Sequence, residues 1–180
     1  MNKAYISLGS NEGQRLKNIQ EAVVQIQKKI GTLTDLSSLY RTPSWGFDGP
    51  EFLNTCIEVQ TPLNPGNVLD QLLKIELKLG RVRTEQPGYI SRNIDLDLLF
   101  YEDLIIEREE LTLPHPRLEL RNFILIPMCE MAPSFVHPRL EKSMEDLSNT
   151  CKDNSELHKM PINQWAPDLF NKDQLLAFEG

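Results

Sequence analysis

The chain of 180 residues is poor in cysteine and in positive charge, and it has no long apolar run. Its three cysteines, Cys56, Cys129 and Cys151, lie far apart with no C-x-x-C pair, an odd count that points to reduced thiols in a reducing compartment. The net charge of −7 and a pI near 5.0 count against a broad nucleic-acid surface, though not against a small anion held by a local basic cluster. The first residues, "MNKAYISLGSN", lack the apolar stretch of a signal peptide, and no segment approaches a membrane span. A cytoplasmic protein without membrane or nucleic-acid partners is expected. The Gly-rich nucleotide loop G-x-x-x-x-G-K-[ST] is missing, so a nucleotide would have to be held in some other way. Internal repeats and low-complexity tracts are absent too.

A chain this long can bury roughly 70% of its unfolded surface and needs no disulfide or structural metal to fold. One catalytic domain over residues 1–150 is expected, with 151–180 as a peripheral extension of the same domain. Residues 3–8, "KAYISL", alternate as a short strand. Leu16, Ile19, Val23, Ile26 and Ile30 form the stripe of an amphipathic helix, with Gly31 as its stop. "LTDLSSLYRT" predicts a second strand, and "PSWGFDGPE" a loop. "FLNTCIEV" predicts a third strand with Leu53, Thr55, Ile57 and Val59 toward the core and Phe52, Asn54 and Cys56 on the other face. "NPGNVLDQLLKIELKLG" opens with proline at a helix start and runs Val68, Leu72, Ile75, Leu79 to Gly80. Residues 81–92 predict a loop, 94–101 a fourth strand, and 104–106 a short edge strand. The order β-α-β-β-α-β predicts an α+β, ferredoxin-like core, an antiparallel sheet with helices packed on it.

Within "SRNIDLDLLF" the chemistry concentrates. Ile94, Leu96, Leu98 and Phe100 take the core face of the fourth strand. Asp95 and Asp97 then share the open face, roughly 7 Å apart at ~3.3 Å per residue. Two like charges so close need something positive between them, unless they simply face water. Carboxylates with no His or Cys beside them suit Mg²⁺, which usually sits between one or two carboxylates and substrate phosphates. Arg81, Arg83 and Arg92 lie just upstream, and guanidinium groups suit phosphate oxygens. Metal carboxylates with phosphate-binding arginines are equipment for phosphoryl-type transfer.

The blocks "YISLGSN", "SSLYRTPSWG", "FLNTCIEVQT", "IELKLGRVR", "RNIDLDLLFY", "LTLPHPRL" and "RNFILIPMCEMAP" occur in the order and spacing of one family. Over residues 4–133 the chain resembles the 6-hydroxymethyl-7,8-dihydropterin pyrophosphokinases of folate biosynthesis. The resemblance implies a ferredoxin-like fold with mobile catalytic loops. It implies transfer of pyrophosphate from MgATP to the pterin's hydroxymethyl group, with release of AMP. Asp95 and Asp97 would hold two Mg²⁺ ions, and Arg81 and Arg92 would be transition-state arginines. Arg83, Arg92, Leu98, Thr112, His115 and Arg121 would lie on the nucleotide side. The pterin would stack between Phe52 and Phe123, with Asn54 at its edge and Thr42, Pro43 and Trp45 around it. Phe52 stands where many members have Tyr, Tyr89 stands near a common loop Trp, and Arg108 could serve for a basic residue that Glu110 replaces. Small-molecule partners and a monomer are expected. Two rival readings stay open on the residues alone: another Mg-dependent nucleotide-transfer enzyme on a similar sheet, and a non-catalytic ligand-binding module.

Overall fold

Alternation in the first ten residues becomes a long strand because both of its faces find cover. The computed structural model describes residues 1–44, 48–80 and 93–166. It opens with β1 (Asn2–Ser10), α1 (Arg15–Lys29), β2 (Thr32–Leu36), β3 (Leu39–Thr42), β4 (Phe52–Thr61) and α2 (Pro65–Lys78). There follow β5 (Asp95–Tyr101), β6 (Ile106–Glu107), β7 (Thr112–Leu113), α3 (Asn122–Met131), α4 (Met144–Thr150), β8 (His158–Met160) and α5 (Ile162–Trp165). The main sheet runs β5-β1-β4-β3-β8, with β2 also paired to β4, and every pairing is antiparallel. This is the expected β-α-β-β-α-β core, its fourth strand β5 at one edge.

The two helices of the core start and stop for local reasons. The Asn64 side chain caps α2 by accepting from Asn67 N at 2.9 Å, and Pro65 occupies the first helical turn. Gly31 does follow α1, but what demands glycine there is close approach. A β-carbon would sit 2.1 Å from the Gln60 carbonyl oxygen on β4.

Both helices pack on one face of the sheet, burying Ile19, Val23, Ile26, Val68, Leu72 and Ile75 against Ile6, Leu8, Ile57, Val59, Leu96 and Leu98. The other face is covered as well. There Tyr5, Cys56, Leu99 and Phe100 meet Ile124, Leu125 and Met128 of α3 and Met144 and Leu147 of α4. The sheet is therefore the middle of three layers, and Cys56, placed by alternation on the face away from the first core, is fully buried in a second one.

Four expectations are corrected. The second strand is two strands, because Ser37 and Ser38 interrupt it; the Ser37 hydroxyl accepts from Cys56 N at 3.0 Å, a bond the ladder would otherwise supply. Phe100 does not share a face with Leu96 and Leu98. Tyr5 pairs with Phe100 while Ile6 pairs with Leu98, so Leu99 is an extra bulged residue. Phe100 consequently turns to the second core, beside Tyr5, and Tyr101 turns into the first. The expected edge strand at 104–106 is displaced: Leu104 and Ile105 are exposed, and β6 pairs with β7 in a separate two-stranded sheet. The fourth strand begins at Asp95, one residue later than expected.

The segment from Cys151 reaches into the fold. β8 extends the main sheet beside β3, and Trp165 and Ala166 belong to the first core. The Gln20 side chain donates to the Trp165 carbonyl at 2.6 Å, tying α5 to α1. Among the described residues no helix is long and apolar enough to cross a membrane.

Candidate active site

The site grows from the edge strand β5. Its inward residues Leu96 and Leu98 are buried, which forces Asp95 and Asp97 to the opposite face, where both are half-buried. Pairing then lines up a row across the sheet. Asp95 lies opposite Gly9 of β1, Gly9 opposite Asn54 of β4, Asn54 opposite Tyr40 of β3, and Tyr40 opposite Lys159 of β8. Paired residues share a face, so carboxylate, empty position, amide, phenol and ammonium succeed one another on the side that α3 covers.

Around the free edge of β5 runs a cleft of about 410 Å³. It brings together Asp95, Asp97, Leu98, Thr112, His115 and Arg121, six of the residues singled out in the sequence. Among the described residues, Glu76, Glu109 and Glu110 also line it, together with the guanidinium groups of Arg117 and Arg121. Arg108 is not among the lining residues; its backbone closes the turn to Leu111 instead.

His115 is fixed by the bulge. Its backbone N–H donates to the Leu99 carbonyl at 2.9 Å, directly after the cis Leu113–Pro114 bond. Its Nε2 lies 3.8 Å from Asp97 Oδ1. Burial, aided by the nearby Arg121 guanidinium, holds its pKa down at about 4, so the ring is neutral at pH 7. Arg121 is 5% exposed at the start of α3, its guanidinium 5.8 Å from the Phe123 ring centroid.

Asn54 and Thr42 are buried, and Asn54 Nδ2 donates to Thr42 Oγ1 at 2.8 Å. Phe52, opposite Thr42 in the ladder, is half-buried, and Phe123 opens α3 on the same side of the sheet. Pro43 is exposed beside them. Arg81, Arg83, Tyr89, Arg92 and Trp45 lie outside the described residues.

Two residues of the site escape a reading by sequence. Glu76 is 1% exposed, and its Oε1 accepts from Leu96 N at 2.8 Å, between the two aspartates. The signal was present: Glu76 continues the Val68–Leu72 spacing on the apolar stripe of α2, where a carboxylate has no place without a partner. Gly9 is the second, an empty position between Asn54 and Asp95 whose meaning depends on the pairing.

The chain is similar to known proteins over most of its length. Residues 5–133 match the family model of the 7,8-dihydro-6-hydroxymethylpterin-pyrophosphokinases. The chain is 39% identical over 145 residues to a 2-amino-4-hydroxy-6-hydroxymethyldihydropteridine pyrophosphokinase of Synechocystis sp., covering 80% of this chain and 73% of that one. It is 34% identical over 155 residues to the protein of the same name from Aquifex aeolicus, covering 84% and 95%. Among solved structures, wild-type Plasmodium falciparum HPPK-DHPS shares the fold with a TM-score of 0.66 at 17% identity. That match covers 82% of this chain but spans only 44% of the other. The chain belongs to the 7,8-dihydro-6-hydroxymethylpterin-pyrophosphokinase family.

Proposed function

We propose that this protein transfers pyrophosphate from ATP to the hydroxymethyl group of 6-hydroxymethyl-7,8-dihydropterin, giving the pterin diphosphate and AMP. The observation that carries the reading is the row Asp95, Gly9, Asn54, which joins the acidic cleft to the buried Asn54 amide. Strands about 4.8 Å apart separate Asp95 from Asn54 by about 10 Å. A flat bicyclic ring with its polar edge at Asn54 reaches across the empty position of Gly9 and delivers its hydroxymethyl arm beside Asp95.

The hydroxymethyl oxygen attacks the β-phosphorus in line, and the bond from that phosphorus to the oxygen bridging the α-phosphate breaks. AMP leaves with the bridging oxygen, and the hydroxyl proton is released to solvent. There is little covalent work for the protein, so its contribution is positioning and charge stabilisation. Asp95 and Asp97 offer hard oxygens, and among the described residues no group of three or more His, Cys, Asp or Glu side chains could hold a metal alone. A carboxylate pair completed by substrate phosphates is the donor set that Mg²⁺ accepts, so these two residues would hold two Mg²⁺ ions entering with ATP. When bound, the ions neutralise phosphate charge and polarise the attacking hydroxyl.

Other side chains supply orientation. Arg121 directs a guanidinium at the nucleotide side, and the neutral His115 ring can hydrogen-bond a phosphate oxygen without adding charge. Leu98 and Thr112 form the wall behind them. Phe52 and Phe123 stack on the pterin, Asn54 and Thr42 read its edge, and Pro43 and Trp45 are assigned to pterin binding with them. Arg81, Arg83 and Arg92 meet the charge that develops on the phosphates, and Arg92 is assigned to rate rather than to binding. Three free thiols accord with a reducing cytoplasm, and the protein is assigned as a monomer.

The test is product analysis with 6-hydroxymethyl-7,8-dihydropterin, ATP and Mg²⁺. AMP together with a pterin diphosphate is the expected result. ADP, or an adenylylated pterin, would overturn the reading.

A further inference from the structure

We infer that Gly9 is a positioning residue of this site: the absence of a side chain there lets the Asn54 amide hold the orientation that presents an acceptor to a heterocycle bearing N–H donors. The inference rests on the pterin reading of Asn54 given above.

Gly9 sits in the interior of β1, between Asn54 on β4 and Asp95 on β5. Its backbone is that of an ordinary strand residue, unlike Gly13, whose φ of +65° belongs to the left-handed region. Alanine would be accepted by the backbone here. What excludes it is the space above. A β-carbon at Gly9 would lie 2.7 Å from Asn54 Oδ1 and 3.6 Å from Phe52 Cδ1. The first distance is a collision, while the second is ordinary contact with the stacking ring.

Something must move to relieve that collision, and the ladder decides what. β1 is held on both sides by β4 and β5, so the strands cannot part without breaking paired backbone bonds. The Asn54 side chain gives instead. It is 4% exposed, and its Nδ2 is committed to Thr42 Oγ1 at 2.8 Å. Turning the amide breaks that bond and leaves buried polar atoms without partners.

The Thr42 bond also fixes polarity. With Nδ2 turned to Thr42, Oδ1 is left over Gly9. An acceptor at that point takes an N–H of a ligand lying flat in the slot, which the amino-pyrimidinone edge of a pterin supplies. Gly9 thus acts through Asn54 as a positioning residue. A methyl at this place would rotate the acceptor away.

The experiment compares Gly9→Ala, Asn54→Ala and the double variant by calorimetric titration and thermal melting. Two affinities are measured: that of a non-hydrolysable ATP analogue with Mg²⁺, and that of 6-hydroxymethyl-7,8-dihydropterin in its presence. Gly9→Ala is expected to weaken pterin binding about tenfold or more, the scale of one broken buried hydrogen bond, with nucleotide affinity within about twofold of wild type. The double variant is expected to bind pterin no worse than Asn54→Ala, because no amide is left to displace. Wild-type pterin affinity in Gly9→Ala would overturn the inference. So would losses that sum in the double variant, or an equal loss of nucleotide affinity. If Gly9→Ala fails to fold, recovery of folded protein in the double variant supports the inference, and an unfolded double variant overturns it. Wild-type pterin affinity in Asn54→Ala marks a different failure, that of the pterin reading itself, and the role of Gly9 falls with it.

Discussion

Glu76 Oε1 accepts the backbone N–H of Leu96 at 2.8 Å, and Leu96 is the residue between Asp95 and Asp97. An edge strand has one row of backbone groups without a strand partner. Here a buried carboxylate from α2 takes one of them, at the point where the strand must hold two acids steady. Glu76→Ala is expected to lower stability by about 1–3 kcal/mol through the orphaned Leu96 N–H and to reduce kcat. Glu76→Gln, which keeps an acceptor in place, should recover most of the stability. Denaturant titration beside steady-state kinetics on both variants checks this, and equal losses in the two would count against the hydrogen bond as the cause.

Asp95 and Asp97 bear on the reaction more directly. Both are half-buried, and both line the cleft. Asp97→Ala and Asp95→Ala are each expected to cut kcat by about 10²–10⁴-fold, the scale for losing a preorganised charge at the reacting phosphates. Added Mg²⁺ should raise the melting temperature of the wild type with ATP analogue present and leave that of Asp97→Ala nearly unchanged.

The order of elements and the facing of the aspartate pair could be read in advance because both follow from local periodicity: Leu96 and Leu98 must go inward, so Asp95 and Asp97 cannot. Phe52 and Asn54 were placed on the site face by the same alternation. What escaped reading depends on partners far away in sequence. The Leu99 bulge exists only in the register of β5 against β1, and it reverses Phe100 with no mark in the local pattern. The Ser37–Ser38 break is invisible among strand formers, since its hydrogen bonds come from β4. β8 is only three residues, "HKM", with no alternation to see, and it becomes a strand because β3 offers an edge. Gly9 lies just beyond the strand expected at residues 3–8, and its place beside Asn54 depends on the pairing of β1 with β4.

Trp165 makes the C-terminal segment part of the fold. It is fully buried in the first core, 32 residues beyond the last residue of the family match at 133. Trp165→Ala is expected to destabilise by about 3–5 kcal/mol, the usual range for removing a large core aromatic. A chemical melt decides it; a loss below about 1 kcal/mol would mean the segment is only an appendage.

Glu130 gathers α3, β3 and β8. Its carboxylate accepts from Ser38 N at 3.1 Å, Ser38 Oγ at 2.7 Å and Tyr40 Oη at 2.7 Å, and it lies 3.0 Å from Lys159 Nζ. Burial pushes the carboxyl pKa up, but the bonds from Tyr40, Ser38 and Lys159 outweigh it and hold the value below the ordinary glutamate range. Glu130→Ala should cost about 2–3 kcal/mol, because several donors lose a charged acceptor at once. Lys159→Ala should cost under about 1 kcal/mol, since that ammonium is half exposed. The difference between the two in one denaturation series is the measurement.

His137 makes the fold sensitive to acid. It is 3% exposed, and its Nδ1 accepts from Arg139 N at 3.2 Å and from Leu140 N at 3.1 Å. Phe100 lies against the ring, with centroids 5.5 Å apart. A proton on Nδ1 would remove both acceptor bonds. Burial lowers the pKa below the ordinary histidine value; Arg139 adds to the lowering, while Glu119 and a backbone bond oppose it. The unfolded chain therefore binds a proton more readily than the folded one near pH 6.5. Stability from this group is fully present above that pH and is lost as pH falls toward the folded value. His115, held down at about 4, adds a slope of the same sign. Unfolding free energy should thus stay level from pH 8 to about 7 and decline toward pH 5. His137→Asn, which has no proton to gain, should be less stable at pH 8 and should decline less steeply. A parallel decline in wild type and variant would assign the acid sensitivity elsewhere.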